Sequence, residues 1–389
     1  MDFRFTPEQG LLRREVCAFL EKELGTRHDS DPVPMPPSYL PAKEFERKLG
    51  EKGWLARSWP FQYGGGGRPI IEQFIVEEEV ARHGGPASEA LGRVIVAPIL
   101  LACSSEEQKR RYLPQMARGE ISFCLGYSEP GAGSDLVSLQ TRAVAQGDDY
   151  AISGRKVFTS GAEASEYCWL AARTDPTAPK HSGISVFIVP MDSPGVEVRP
   201  LINLLDKHWF NEVIFDNVRV PRANRVGEEN RGWEILTSAL GVERITLYRA
   251  PIHLRVLKGL LRFAKAKRDR RALFPDPRLR RGLAQLAVEF EVARLLLYRA
   301  VGIFERGEDC RAQAAMVKLF NTELAQRLYQ TAVAVLGPYG TLREGSKYAP
   351  WLGAIAHGYL SAVQDTIGAG TSEVQRDIIA RRGLGLPGA

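Results

Sequence analysis

Apolar residues near the start of the chain recur at helical spacing. Leu11, Leu12, Val16, Phe19 and Leu20 fall within a segment, 6–26, that opens on Thr6-Pro7-Glu8. A hydroxyl residue followed by proline and an acid is the composition of a helix N-terminus. After a proline-rich loop from Pro32 to Pro41, helical patterning returns over 43–52, 70–83, 87–102 and 105–118. The run from Trp59 to Gly67, with a proline and four consecutive glycines, interrupts it as a loop. Residues 1–118 therefore read as an N-terminal α-helical domain.

The period then changes. Segments 121–127, 137–145, 149–153, 167–173, 184–189, 196–199 and 211–215 are short and rich in Val, Ile, Phe and Tyr, with turns such as Gly147-Asp148-Asp149 and Ser193-Pro194-Gly195 between them. This predicts a compact β domain over 119–230, with Val186-Phe187-Ile188-Val189 as a buried strand. From Gly232 the helical period returns over 232–268, 279–305, 310–336, 346–364 and 371–382. Leu283, Leu286, Ala287, Phe290, Ala293 and Leu297 line one face of the second of these segments, and the whole reads as a helical bundle over 231–389. The order α, β, α predicts an α+β fold class with a ligand cleft between sheet and bundle.

Composition narrows the class further. The 389 residues are 44% hydrophobic and 25% charged, as in an ordinary globular protein, and no run reaches the length of a membrane span. Met1-Asp2-Phe3-Arg4 leads straight into a helical pattern, so no signal peptide is expected. Cys17, Cys103, Cys124, Cys168 and Cys310 are scattered and form no metal spacing, which suggests reduced thiols, a cytoplasmic location and no metal centre. The formal charge of +6 is concentrated: Arg255 to Arg281 holds eleven Lys or Arg against Asp269 and Asp276. No aromatic stacking platform interleaves with these bases. The stretch reads as a solvated helix face or a phosphate-binding patch rather than a nucleic-acid surface.

The span Cys124-Leu125-Gly126-Tyr127-Ser128-Glu129-Pro130-Gly131-Ala132-Gly133-Ser134-Asp135 packs hydroxyls and turn formers together. Such a loop presents N–H groups and hydroxyls to an oxygen-rich ligand, although an ordinary Pro-Gly loop has the same letters. Three further segments accompany it: Gly154-Arg155-Lys156-Val157-Phe158-Thr159-Ser160-Gly161; Asn224 to Trp233 leading into Leu240-Gly241-Val242-Glu243-Arg244; and Gly368-Ala369-Gly370-Thr371-Ser372-Glu373-Val374-Gln375-Arg376. In this order and spacing the chain resembles the acyl-CoA dehydrogenase family over essentially its whole length.

The resemblance implies an N-terminal helical domain, a central β-barrel or sandwich domain and a C-terminal four-helix bundle. It implies non-covalent FAD, an acyl-CoA thioester oxidised to its trans-2-enoyl form in fatty acid β-oxidation or related lipid metabolism, electron-transfer flavoprotein as acceptor, and a homotetramer or dimer. Leu125, Tyr127 and Ser128 match positions against the flavin. Ser134 matches a position beside cofactor and acyl-CoA, and Phe158, Thr159 and Ser160 match the flavin-side triplet, where the family often has Trp first. Gly370, Thr371 and Glu373 match the segment over the FAD phosphates, with Thr371 also suited to cap a helix. Ala369 occupies the place of the family's commoner base and matches a backbone N–H donor to the substrate carbonyl.

Alanine accepts no proton. Glu243 matches the base of the isovaleryl and long-chain branches, and Arg244 beside it is a candidate to hold that carboxylate or to contact acyl-CoA. A helix-surface ion pair is the other reading of the two. Two departures stand out. Lys267 to Pro275 lacks the family's Phe-Gly pair, and Leu336-Gly337-Pro338-Tyr339-Gly340 puts a proline, which has no N–H, where the family's backbone nears FAD. These leave open a heteromeric assembly, as in relatives that pair an FAD-binding subunit with a degenerate one. A flavin monooxygenase or nitroalkane-oxidase-like enzyme, or a non-catalytic partner subunit, are the alternatives.

Overall fold

A computed structural model describes residues 4–25, 42–85, 91–237, 250–265 and 276–387. They belong to two compact units: Ser38–Arg68 with Ala87–Glu243, and Met1–Pro37 with Pro69–Pro86 and Arg244–Ala389.

The first unit is built on one eight-stranded sheet. Its strands are β1 (Phe123–Gly126), β2 (Arg142–Gln146), β3 (Asp149–Ser160), β4 (Tyr167–Arg173), β5 (Ile184–Pro190), β6 (Val196–Ile202), β7 (His208–Pro221) and β8 (Arg225–Val226). The order is β6-β7-β3-β2-β4-β5-β8, with β1 paired to β4. β1 and β2 run parallel to β4, and the remaining pairs are antiparallel. Cys168–Ala172 and Ile184–Val189 are wholly buried, the pattern of strands covered on both faces. Against them packs α5 (Glu106–Ala117), opened by a Ser105–Gln108 capping box; its Tyr112 meets Phe123 and Tyr167 edge-on at centroid distances of 6.0 and 5.2 Å. The same unit holds α2 (Ala42–Glu51) and α4 (Ala97–Cys103), the latter preceded by a π-helical turn, Gly92–Val96.

The strands depart from the sequence pattern in extent. Leu136–Ser138 is a 3-10 turn, so β2 begins only at Arg142, whereas β3 and β7 continue well past the expected 149–153 and 211–215. Long antiparallel pairing between β3 and β7 carries them on.

The second unit is helical: α1 (Pro7–Leu24), α3 (Ile70–Arg82), α6 (Ala250–Lys265), α7 (Pro277–Glu305), α8 (Arg311–Leu336), α9 (Ala354–Asp365) and α10 (Ser372–Ile378). Thr6 caps α1 in a capping box with Gln9, and Leu12, Val16 and Leu20 form its buried stripe, while Leu11 points outward. On α7, Leu283, Leu286, Phe290, Ala293 and Leu297 are buried as expected, but Ala287 is exposed, one position off the alternating three-and-four stripe. Gly358 lets α9 approach α8 closely, since a Cβ there would lie 2.0 Å from the Tyr329 ring. The helix expected over 346–364 starts only at Ala354. Trp351 and Leu352 sit in left-handed conformations after Pro350, and the Trp351 ring meets Phe263 at 6.2 Å. Among the described residues no helix is long and apolar enough to cross a membrane.

Candidate functional site

In the sheet unit the structure brings together two of the sequence segments. β1 leads through half-buried Leu125 to Tyr127 and Ser128, which are also half-buried, and Val157 N–H donates to the Ser128 carbonyl at 2.9 Å. β3 thereby runs beside the 125–128 segment. Its pairing with β7 matches Lys156 to Val213 but Thr159 to Asn211, so β3 carries one extra residue between them, a β-bulge. The bulge inverts which side chains face inward. Tyr150, Ile152 and Lys156 are buried, and continued alternation would bury the side chain at 158; instead Thr159 is 1% exposed and Phe158, at φ 57°, is 66% exposed. Phe158 is thus not a strand-core aromatic. Its ring meets Phe210 edge-on at 6.1 Å, and Ser160 is half-buried. Thr159 Oγ1 is buried and has no hydrogen-bond partner. A buried hydroxyl without a partner is costly, and a ligand oxygen or nitrogen would supply the missing bond.

Ser134 is exposed in the 129–138 loop, which Glu129 closes by reciprocal backbone bonds with Ala132 at 3.0 and 3.1 Å. Ser138 donates to Asp135, and Lys180 Nζ reaches Ser138 Oγ at 2.9 Å. A cavity of about 520 Å³ lies along Glu129, Gly131, Ser138, Thr141 and Arg155.

Sequence reasoning assigned no role to Glu129 and Lys156, although both lie inside the quoted segments. Lys156 is fully buried, and its Nζ lies 2.8 Å from Glu129 Oε1 and 3.1 Å from the Tyr127 carbonyl. Glu129 also accepts from the backbone N–H groups of Gln140 and Thr141 at 2.6 and 2.9 Å. Burial pushes the Glu129 carboxyl upward, but the Lys156 charge and these hydrogen bonds outweigh it and hold it below the usual carboxylate range. The shared parity of Lys156 with Tyr150 and Ile152 is the signal that would have marked it as inward-facing.

In the helical unit, Ala369 (φ 54°) and Gly370 (φ 86°) turn the chain into α10. Gly370 is required there both by its left-handed backbone and because a Cβ would lie 2.5 Å from Gln375 Nε2. Gln375 Nε2 donates to the Ala369 and Gly370 carbonyls at 3.1 and 3.2 Å, and Lys318 Nζ donates to that of Gly370 at 2.8 Å. Thr371 caps α10 as its letters suggested, accepting from Val374 N–H at 3.2 Å. Glu373 is exposed; its own backbone N–H and the Thr371 hydroxyl keep its carboxyl below the usual range. Ser372 Oγ and Gln375 Oε1 are buried without partners. A cavity of about 500 Å³, within the size range of small-ligand sites, is lined by Gln326, Arg327, Thr366, Thr371, Glu373 and Arg376. Pro338 is exposed in a 3-10 turn, Gly337–Thr341.

Glu243 and Arg244 lie outside the described residues, as do 266–275 of the basic stretch and with them the whole Lys267–Pro275 departure. His253 pairs loosely with the Tyr329 hydroxyl at 3.4 Å. The fold also gathers Cys17, Glu79 and His83, three potential metal ligands that sequence spacing could not connect. Glu79 is already engaged by Arg13 at 2.7 Å, and His83 Nδ1 bonds the Glu79 carbonyl oxygen at 2.8 Å.

Known proteins match this chain along its whole length. Three family descriptions fit successive stretches: acyl-CoA dehydrogenase N-terminal domain over residues 6–120, middle domain over 124–218 and C-terminal domain over 230–384. Acyl-CoA dehydrogenase FadE26 of Mycobacterium tuberculosis is 36% identical over 400 residues, covering 100% of both chains. Among solved structures, the Tcur3481-Tcur3483 steroid ACAD superposes with a TM-score of 0.89 at 36% identity, covering 100% of both chains. The ChsE4-ChsE5 complex from Mycobacterium tuberculosis gives 0.87 at 36% identity, again covering 100% of both chains. The chain belongs to the acyl-CoA dehydrogenase family, with that family's N-terminal helices, central sheet and C-terminal helices, and it is an oxidoreductase of that class. The family implies a flavin cofactor, and the orphaned Thr159 hydroxyl beside exposed Phe158 fits one.

Proposed function

We propose that this chain binds FAD and oxidises an acyl-CoA thioester to the trans-2-enoyl thioester. The observation that carries this reading is Thr159: a buried hydroxyl with no partner, next to an aromatic ring that a bulge turns outward, in the segment matching the family's flavin-side triplet. Leu125, Tyr127, Ser128, Phe158, Thr159 and Ser160 hold the flavin ring system in this reading. Gly370, Thr371 and Glu373 serve its phosphates, and Ser134 serves cofactor and substrate. FAD, when bound, supplies the two-electron acceptor for the β-hydride.

The chain's own residues supply the acid–base work. Glu243 takes the pro-R α-proton, since Ala369 at the commoner base position cannot. The Ala369 N–H donates to the thioester carbonyl oxygen and stabilises the negative charge that builds there as the proton leaves. Lys318 and Gln375 hold the Ala369–Gly370 carbonyls and keep that turn in place. Arg244 orients Glu243 or the acyl-CoA.

The substrate class we infer is a steroid side-chain thioester rather than a straight fatty acyl chain. Support comes from the steroid ACAD matched over its full length. The protein acts as an oligomer, a homotetramer or dimer or a pairing with a related chain. The pairing is favoured by the two-component ChsE4-ChsE5 complex and by Pro338, which has no N–H to offer a cofactor phosphate. We assign electron-transfer flavoprotein as the acceptor and the cytoplasm as the location. Anaerobic mixing with a panel of acyl-CoAs tests the reading: the flavin absorbance bleaches and an enoyl thioester forms. Reduced protein that reoxidises rapidly in air points instead to a monooxygenase-like activity.

A further inference from the structure

Lys156 and Glu129 form a buried ion pair: Lys156 is 0% exposed and Glu129 7%. A pair of this kind is a poor source of stability, because apolar residues of the same size usually do as well. What an ammonium does that a methyl group cannot is hold a carbonyl. Lys156 Nζ binds the Tyr127 carbonyl at 3.1 Å. The peptide unit is planar, so drawing that oxygen inward turns the Ser128 N–H to the opposite side. The residue after Lys156 binds the next carbonyl, with Val157 N–H donating to Ser128 at 2.9 Å. Directly beyond it comes the bulge that turns Phe158 out and Thr159 in. Glu129 fixes the other end, accepting from Lys156 and from the Gln140 and Thr141 amides.

We propose that Lys156 and Glu129 are positioning residues for the flavin: the pair locks the Tyr127–Ser128 peptide and the Phe158 bulge together, so that the Ser128 N–H and the Phe158–Ser160 triplet form one preset surface. The proposal deepens the flavin reading and rests on it. A structural pair elsewhere in the same unit serves as the control. Glu46 Oε1 and Arg93 Nη1 lie 2.7 Å apart, both largely buried, with no part in the flavin segments.

The test uses the full-length protein, deflavinated and refilled with FAD. In Glu129→Gln and Lys156→Met, FAD affinity falls by at least about tenfold, the lower end of what losing an outer-shell partner costs a metal site. The visible circular dichroism of the bound flavin changes, and the double variant is no weaker than the worse single one. Glu46→Gln lowers the melting temperature but leaves affinity and spectrum at wild-type values. Pair variants that melt lower yet bind FAD with unchanged affinity and spectrum overturn the proposal. A wild type that takes up no flavin overturns the functional reading itself. Hydrogen exchange on the wild type covers the case of variants that do not fold: added FAD protects the Ser128, Gln140, Thr141 and Val157 amides together, and protection that leaves these four unchanged contradicts the proposal.

Discussion

Asn211 Nδ2 donates to the carbonyl oxygen of Thr159 at 3.1 Å from a position with no solvent exposure. The same amide group donates to Glu163 at 2.6 Å, and its oxygen meets His208 Nε2 at 2.7 Å. The backbone at the bulge is therefore pinned from β7, while the Thr159 hydroxyl is left for something else to satisfy.

Thr159→Val separates these two facts. Without cofactor, valine removes a buried hydroxyl that bonds to nothing, so the flavin-free protein gains about 1 kcal/mol in denaturant unfolding. With cofactor the hydroxyl's hydrogen bond is lost, and FAD affinity falls roughly fivefold, again about 1 kcal/mol. The opposite signs are diagnostic; a variant that destabilises the flavin-free protein shows that the hydroxyl was already satisfied.

Glu78 makes the helical unit acid-sensitive. On α3 it is 7% exposed, paired with Arg82 at 2.7 Å, and it accepts from the Tyr298 hydroxyl of α7 at 2.9 Å. Burial raises its pKa, but the Arg82 guanidinium and the hydrogen bonds more than offset this, leaving it below the usual carboxylate value. A depressed folded pKa contributes stability that is present above the unfolded value of about 4.3 and is lost as pH falls through the folded one. Denaturant unfolding across pH 3–7 should show this loss in the wild type. Glu78→Gln should be less stable at pH 7 by about 3 kcal/mol and flatter below pH 5. An unchanged acid slope would remove Glu78 as the source.

Burial and the neighbouring Glu79 charge push the Cys17 thiol up to about 11. At pH 8 its thiolate share is then about a thousandth, against roughly a quarter for an ordinary thiol. Alkylation by iodoacetamide, followed residue by residue, should run roughly 200-fold slower at Cys17 in the folded protein than in urea. Equal rates would show that the thiol is not held protonated by its burial and the Glu79 charge.

What the residues revealed in advance follows the kind of signal each carried. The buried stripe of α7 and the buried run Val186–Val189 were readable because periodicity reports burial directly. The Thr371 cap was readable because capping is local chemistry. The face that Phe158 presents was not readable because a bulge, set by pairing with β7 some fifty residues on, decides it. Lys156–Glu129 was missed for a related reason: the two residues are 27 apart, and neither position is unusual until β3 runs beside the 125–128 segment. The break at Trp351–Leu352 escaped notice because those letters fit a helix, and only Pro350 argued against it.

In the proposed reaction Glu243 removes the proton from the carbon next to the thioester. The most direct measurement is anaerobic stopped-flow mixing of flavin-loaded protein with a steroid side-chain acyl-CoA, comparing wild type with Glu243→Gln. The wild type should show flavin bleaching with enoyl thioester formation, and a variant that keeps its flavin should bleach at least about 100-fold more slowly. Bleaching at an unchanged rate in Glu243→Gln, or no bleaching of the wild type by any acyl-CoA, would contradict this role for Glu243.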